Sequence, residues 1–329
     1  MIDKIKGHGF PRVIIDPGYK LSGNADENSA KDVAAILNSL ERIQCPMEKS
    51  GDYLVPATVT AISKSAFLGC HRLTAISMPG GLRTIGKYAF YGCGGLTSVS
   101  LPDSLSSVDA WLFAGCTNLM NFRLPGALQT IGDYSFRGCS SLTGIDFPNT
   151  LRSIGMGAFS GCSNLTSISI PTTTMSLAGT AFAQCTRIES LSIPGSGTLV
   201  EESSFNGCAN LQTLFLNTAK VGAQFAGFQN LRDVQFGTGV TNIAYLAFNG
   251  CSALRSIQIP TNVVSVGEGA FAFSVTWAAG RSLDVEACTN LSSGVWLKLG
   301  SNTLADVAWE FIDYDFALNS ARLYRLRAP

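Results

Sequence analysis

The chain has 329 residues with 23 basic and 23 acidic side chains, so its formal net charge is zero. A balanced charge gives no electrostatic reason to bind nucleic acid or an anionic membrane surface. No apolar run reaches the roughly 18 residues of a transmembrane helix, and the start MIDKIKGHGF lacks the apolar stretch of a signal peptide, so we expect neither feature in the sequence given.

The first 50 residues contain one good helix candidate, at 30–40. Ser29 is a suitable N-cap, and apolar residues recur at helical spacing along one face. Residues 40–46 (LERIQCP) also resemble the opening of the repeat described below, so the helix can lead directly into a first degenerate coil. We predict that residues 1–50 form an N-terminal helical cap.

Residues 51–274 are dominated by a 23-residue repeat, in which cysteine, phenylalanine and proline each recur at a fixed phase. The cysteines are Cys70, Cys93, Cys116, Cys139, Cys162, Cys185 and Cys208. The phenylalanines are Phe67, Phe90, Phe113, Phe136, Phe159, Phe182 and Phe205. A fixed period of roughly 20 to 50 residues is the signature of a repeat architecture, so we predict a solenoid.

Each repeat is predicted to form one coil. In the unit that starts at Leu73, the opening LTAISM places Ile76 and Met78 two residues apart, which is the period of a strand. Pro79 has no backbone N–H and ends that strand. A second short extended piece follows, and the segment AFYGC is short enough for a turn or one turn of 3₁₀ helix. Stacking the coils buries equivalent apolar side chains in columns.

A glycine often follows the second extended piece, as at Gly86, Gly132 and Gly155. Glycine is the residue that most easily adopts a positive φ. We therefore expect a turn with left-handed backbone at these positions.

The combined pattern S-x-x-I-G-x-x-A-F-x-G-C-x-x-L-T-x-I-x-I-P resembles that of the BspA-like, or treponemal-type, leucine-rich repeat family of surface proteins. The match covers about residues 55–271, and it is specific because several classes of position recur together. The resemblance implies a right-handed leucine-rich-repeat coil with a parallel β-sheet, mostly β with short turns and 3₁₀ segments. It also implies a cell-surface or secreted protein that binds host or microbial partners.

The repeat is interrupted in two places. The span from Leu216 to Phe225 is 9 residues where the equivalent span elsewhere is 12, and Phe228 takes the cysteine position of this short coil. The pattern then fails after Phe271. Because solenoid ends need atypical segments that cover the open core, we predict caps at both ends.

The repeated cysteine is compatible with a metal ligand, a nucleophile, half of a disulfide or a buried thiol. A zinc site needs C-x-x-C pairs or matched Cys and His groups, but the chain has no C-x-x-C and only two histidines. A nucleophile needs a neighbouring base, and seven equivalent active sites are implausible. Cysteines in one column keep their Cβ atoms about 4.8 Å apart, whereas a disulfide prefers about 3.8 Å. We therefore predict buried, unbridged thiols, with no metal, cofactor or catalytic residue.

The first strand of each coil is expected to present variable residues to solvent. Most of them are small and polar, as on a plain solvated sheet. Four break this pattern and are the candidate binding residues: Arg123, Asp146, Phe215 and Arg255. Phe215 is the sharpest candidate, because an exposed aromatic ring on a polar sheet can anchor a partner. Packing against the short coil beside it is the alternative, and the sequence leaves both open.

Residues 275–329 depart from the repeat and are predicted to form an irregular last coil and a C-terminal cap. A short helix is expected at 304–311 and a closing strand at 321–326. The insertion at 275–300 combines aromatic rings with charged groups, which suits sugar binding but suits a cap equally well. These residues are Trp277, Arg281, Asp284, Glu286 and Trp296.

The leading functional prediction is a non-enzymatic leucine-rich-repeat surface protein that mediates protein–protein interaction or adhesion. The alternative is a glycan-binding or glycan-processing module with its site at 275–300. The expected partner is accordingly a protein or a glycan and not nucleic acid, and no membrane span is expected in the chain.

Overall fold

The structure is a computed structural model. It describes residues 51–254, 257, 260, 263–266 and 270, and five strands within 273–327. The predicted N-terminal cap at 1–50, with its helix at 30–40, lies outside the described residues, as does Arg255. The chain divides into two compact units, Met1–Asn164 and Leu165–Pro329.

The described part of the first unit is a stack of parallel coils. Its strands are β1 (Gly51–Leu54), β2 (Ala61–Ile62), β3 (Leu73–Ser77), β4 (Thr84–Ile85), β5 (Ser98–Ser100), β6 (Ser107–Val108), β7 (Asn121–Arg123), β8 (Thr130–Ile131) and β9 (Ser153–Ile154). The first strands of successive coils form the parallel sheet β1–β3–β5–β7. The shorter second strands form the parallel ladders β2–β4 and β6–β8–β9. The predicted parallel β-solenoid is thus confirmed.

The second unit continues the same coil design. Its repeat strands are β10 (Ser167–Ser169), β11 (Ser176–Leu177), β12 (Ser190–Ile193), β13 (Leu199–Val200), β14 (Thr213–Leu216), β15 (Lys220–Val221), β16 (Asp233–Phe236), β17 (Asn242–Ile243) and β18 (Ser265–Val266). The first strands form the parallel sheet β10–β12–β14–β16. The second strands pair as β11–β13 and as β15–β17–β18.

The short coil lies between β14 and β16 and keeps the sheet intact. Thr213 pairs with Asp233, a step of 20 residues in place of 23, so the shortening is absorbed after the first strand. A 3₁₀ helix at Ala223–Phe225 takes the place of the usual turn. Phe225 still stacks between Phe205 at 6.0 Å and Phe248 at 6.1 Å, and Phe228 is buried.

Phenylalanine columns fill the centre of each unit. Phe113 stacks on Phe90 at 5.3 Å and on Phe136 at 5.5 Å between ring centroids, and all three side chains are fully buried. Parallel rings at this separation gain stacking energy as well as burial of apolar surface. The predicted phenylalanine column is therefore confirmed inside each described unit.

The cysteine columns are also confirmed, because all eight described repeat cysteines are buried and none of them forms a disulfide. Their role is more than apolar volume. In the first unit the thiols of Cys93, Cys116 and Cys139 each donate a hydrogen bond to the backbone carbonyl of a phenylalanine one coil earlier, at 3.0–3.2 Å. Cys208 and Cys251 do the same in the second unit. Each thiol thus ties neighbouring coils together.

The expected left-handed turn at Gly86, Gly132 and Gly155 is wrong. These glycines are needed because neighbouring coils approach closely there. A Cβ on Gly132 would lie 2.7 Å from the backbone nitrogen of Ala110, and one on Gly86 would lie 2.6 Å from that of Lys64. Positive φ values occur instead at the glycine before the cysteine, as in Gly92 at 72°, and two residues after the close-contact glycine, as in Tyr88 at 61°.

One coil of the first unit lacks its first strand. Residues 142–148 carry no strand or turn, although an equivalent strand was predicted to contain Asp146. Gly144 stands within this segment, and glycine weakens a strand because it costs more backbone entropy and offers no side chain to pack. Asp146 is exposed on an irregular segment and not on a sheet.

The described C-terminal strands are antiparallel and do not form a further parallel coil. They are β19 (Phe273–Thr276), β20 (Ser282–Cys288), β21 (Leu297–Thr303), β22 (Ala308–Phe311) and β23 (Leu323–Arg327). β19 pairs with β22, and β20 lies between β21 and β23. The helix expected at 304–311 is wrong for its last four residues, because β22 satisfies its backbone on β19. A strand was expected at 321–326, and β23 overlaps it at 323–326, whereas the C-terminal cap itself stays a prediction.

Candidate binding surface

The sheet β10–β12–β14–β16 of the second unit presents two rows of side chains on one face. Its parallel register places residues of successive coils side by side. One row is Ser167, Ser190, Thr213 and Asp233, and the other is Ser169, Ser192, Phe215 and Gln235. The alternate residues Ile168, Leu191, Leu214 and Val234 are buried. The two rows together are called the second-unit face below.

A shallow trough of about 290 Å³ runs across the second-unit face and is lined by both rows. Five serine and threonine residues and a single aromatic residue, Phe215, are among the residues that line it. Ser192 pairs with Phe215 in the neighbouring strand, and strands lie about 4.8 Å apart. Because serine is far smaller than a phenyl ring, Phe215 is only half-buried and keeps apolar surface available.

A carboxylate closes one edge of the trough. Asp233 is exposed and is the only charged residue among those that line the trough. Gln235, which pairs with Phe215, donates a hydrogen bond from Nε2 to Asp233 Oδ2 at 3.0 Å. The trough therefore offers one apolar anchor point, several small hydroxyls and one carboxylate that accepts hydrogen bonds.

Of the four sequence-predicted binding residues, Phe215 lies in the second unit, Arg123 and Asp146 lie in the first, and Arg255 lies outside the described residues. Phe215 lines the trough, and its strand also pairs with β16 beyond the short coil. Arg123 lies on β7 of the first unit, with its guanidinium 3.9 Å from the Asp103 carboxylate. Both side chains of this pair are highly exposed, so it contributes little to stability. Asp146 is exposed in the same unit.

Asp233 and Gln235 were missed as site residues. The sequence feature that could have identified them is the three-residue shortening of the coil. It shifts the following coil so that Asp233 pairs with Thr213 and Gln235 with Phe215. The register across the short coil thus places Gln235 beside the aromatic ring and Asp233 in the neighbouring row of the same face.

The buried thiols are poorly suited to chemistry. Burial raises the pKa of the Cys139 thiol and of the Cys208 thiol to about 12 in each case, so both are protonated at neutral pH. In the described part of the chain, no three His, Cys, Asp or Glu side chains are grouped to hold a metal ion. Nor does any described helix have the length and apolar character to cross a membrane.

Residues 49–151, 129–224 and 220–277 match the family model of the BspA-type leucine-rich repeat region, which occurs in six copies. The chain therefore belongs to the BspA-type leucine-rich repeat family. No curated protein matches it.

Solved structures include similar leucine-rich repeat proteins. The leucine-rich repeat protein TpLRR of T. pallidum is 33% identical over 49% of this chain and 78% of its own, with a TM-score of 0.44. The pneumococcal vaccine antigen PcpA is 20% identical over 70% of this chain and 71% of its own, with a TM-score of 0.43. A leucine-rich cell surface protein of Faecalibacterium prausnitzii is 21% identical over 65% of this chain and 80% of its own, with a TM-score of 0.30.

Proposed function

We propose that this chain is a non-enzymatic interaction module of a cell-surface or secreted protein, and that it binds a protein partner through the second-unit face. The observation that carries the proposal is Phe215, a half-buried aromatic ring on a sheet face whose other outward residues are small or polar. Membership of the BspA-type family supports an interaction role and the surface location. Adhesion is one outcome of such binding.

The trough favours a protein segment that inserts an apolar side chain. Covering the exposed part of Phe215 removes apolar surface from water, at roughly 25 cal/mol per Å². The neighbouring serines are short, so a partner can approach the sheet closely and exchange hydrogen bonds with their hydroxyls. Short side chains also lose little rotamer entropy when they are covered.

Asp233 adds a polar contact that would orient the bound segment. Its carboxylate accepts a hydrogen bond from Gln235, the residue paired with Phe215, so a partner N–H or cation finds an acceptor on the same face as the aromatic ring. Hydrogen bonds with one ionised partner are roughly twice as strong as neutral ones. The trough thus best fits a partner segment in which a cationic or amide-bearing residue stands beside an apolar residue.

The test uses a protein partner isolated by affinity capture and then measured as a purified pair. Phe215→Ala is expected to weaken binding by about tenfold or more, as removal of an aromatic anchor does. Tyr245→Ala is the control, because Tyr245 is an aromatic residue of the same unit, 60% exposed, that lies outside the trough. Equal binding of the Phe215→Ala variant and the wild type would place the binding surface elsewhere.

Arg123, Asp146 and Arg255 stay predictions as binding residues, and alanine variants of each belong in the same assay. The glycan alternative at 275–300 also stays a prediction. Of its proposed residues, Trp277, Arg281 and Trp296 lie outside the described residues, whereas Asp284 and Glu286 stand on β20.

A further inference from the structure

Three aromatic rings of the first unit form a ladder at a corner of the coils. Trp111 stacks on Tyr88 at 6.1 Å and on Tyr134 at 4.4 Å between ring centroids. Tyr91 lies beside them, 6.0 Å from Tyr88 and 6.1 Å from Trp111, and is 40% exposed. The three stacked rings and Tyr91 are together called the aromatic ladder. Tyr88, Trp111 and Tyr134 are 23 residues apart, so the repeat itself aligns them.

The turn that carries the ladder does not need aromatic residues. Tyr88, Trp111 and Tyr134 have φ values of 61°, 61° and 55°, a left-handed conformation that is unfavourable for bulky side chains. Other coils hold the same conformation at the same repeat position with Ser65 at 60° and Gly157 at 58°. Strained backbone that the fold can form without these side chains is a reason to seek a function for them.

Two cations flank the ladder. The Arg137 guanidinium carbon lies 5.8 Å from the Trp111 ring centre and 6.0 Å from that of Tyr134, and Lys64 Nζ lies 5.9 Å from that of Tyr88. Both basic residues are exposed, and neither forms an ion pair within the described part of the chain. Asp133, which precedes Tyr134 in the sequence, accepts the backbone N–H of Met156 through Oδ1.

The ladder presents hydrogen-bond donors that have no acceptor. Among the described residues, none accepts a hydrogen bond from the tyrosine hydroxyls, the Trp111 indole N–H or the Arg137 guanidinium. The edges of aromatic rings also carry positive potential. Both faces of Trp111 are covered by neighbouring rings, which disfavours a sugar stacked on the indole. The surface therefore fits a partner rich in anionic acceptors that contacts ring edges.

We propose that the aromatic ladder, with Arg137 and Lys64, binds an acidic peptide segment of a protein partner. Tyrosine, tryptophan and arginine are the side chains most often found at interface hot spots. Carboxylates of the segment accept hydrogen bonds from Arg137 and from the tyrosine hydroxyls, and its aliphatic carbons cover the ring edges. This surface lies in the first unit and does not depend on the second-unit face.

The test selects peptides from a phage-displayed random library on the whole protein and measures a selected peptide by fluorescence anisotropy. Peptides with an excess of Asp and Glu are expected, and their affinity should fall as NaCl is raised from about 50 to about 300 mM. Arg137→Glu should weaken binding by about tenfold or more, and Tyr91→Ala by a few fold. Tyr245→Ala, an exposed tyrosine outside the ladder, should bind like the wild type.

Arg137→Gln removes the charge without reversing it. This variant replaces Arg137→Glu in the binding assay if Arg137→Glu lowers the melting temperature. A library that yields no acidic excess would overturn the proposal. So would acidic peptides that bind both Arg137 variants as tightly as the wild type. Heparin, a sulfated glycan, is the comparison probe: heparin binding that is lost in the Arg137 variants, without any acidic peptide, would mean that the ladder recognises a polyanionic glycan and that the peptide proposal is wrong.

Discussion

The thiol of Cys139 donates a hydrogen bond to the backbone carbonyl of Phe113 at 3.2 Å, across one coil of the solenoid. The same carbonyl accepts the backbone N–H of Cys116 within its own turn at 3.1 Å. One carbonyl therefore closes a turn and links it to the next coil. Alanine would fill part of the space but has no donor, which explains why the position recurs as cysteine.

The eight described repeat cysteines should be inaccessible in the native protein and free after unfolding. Ellman's reagent, added without reductant, is expected to react with them only after denaturation, because burial protects each thiol and keeps it protonated. The chain has ten cysteines, so ten thiols from the fully unfolded protein would show that all are unbridged, and fewer than eight would show bridges of repeat cysteines that the column geometry does not allow.

Stability should fall at alkaline pH because of the same thiols. Burial raises the pKa of the Cys139 thiol to about 12 and that of the Cys251 thiol to about 11, whereas an unfolded thiol titrates near about 8.5. The folded state thus keeps protons that the unfolded state has lost. The contribution is complete below about pH 8.5 and is lost as the pH rises toward 11–12, by at most about 1.4 kcal/mol per pH unit for each thiol.

Urea midpoints measured between pH 7 and pH 10 check this dependence. A Cys139→Ala variant should lose stability less steeply over that range than the wild type. Identical slopes would mean that this thiol titrates alike in both states.

Ser135→Ala should leave stability unchanged or raise it slightly. Ser135 Oγ is buried without a hydrogen-bond partner, at a repeat position where Ala89 and Ala158 stand in other coils. The matched control is Ser204→Ala, because Ser204 occupies the equivalent position and its hydroxyl bonds the Glu201 carbonyl at 2.7 Å. Ser204→Ala should cost about 1 kcal/mol. Thermal unfolding of both variants compares them, and equal losses would mean that Ser135 is also bonded.

Gly132→Ala should destabilise the protein, although alanine is otherwise the easier residue to order. Its Cβ would meet the Ala110 backbone nitrogen at 2.7 Å, and overpacking of this kind costs about 1–3 kcal/mol. The control is Gly144→Ala, where a Cβ meets nothing within 4 Å and should be neutral or mildly stabilising. Chemical denaturation separates the two. A tolerated Gly132→Ala would mean that the coils are spaced more widely than described.

Much of the fold was predictable, because a 23-residue period predicts equivalent positions in stacked coils. The phases of Cys139 and Phe136 recur every 23 residues, and only stacked coils bury such columns. The role of Gly132 was not predictable from one coil, since it depends on how closely the preceding coil passes. The antiparallel strands after residue 273 fall where the period ends, and there residue patterns no longer fix the partner of a strand.

The candidate site was predictable only in part. Phe215 stands out because its neighbours in the pattern are small and polar, but Asp233 joins it only through the register across the short coil. The aromatic ladder had a clear signal, because Tyr88, Trp111 and Tyr134 keep the 23-residue spacing. Their stacking, and the donors left without acceptors around them, required side-chain positions.

Site-specific photo-crosslinking tests the central claim, that the second-unit face binds a protein. The photoreactive phenylalanine analogue p-benzoylphenylalanine replaces Phe215 in one variant and Tyr245 in another, and both are irradiated with the isolated partner. The account predicts an efficient covalent adduct with the partner from position 215 and little or none from position 245. Adducts of equal yield at both positions, or an adduct from position 245 alone, would contradict it.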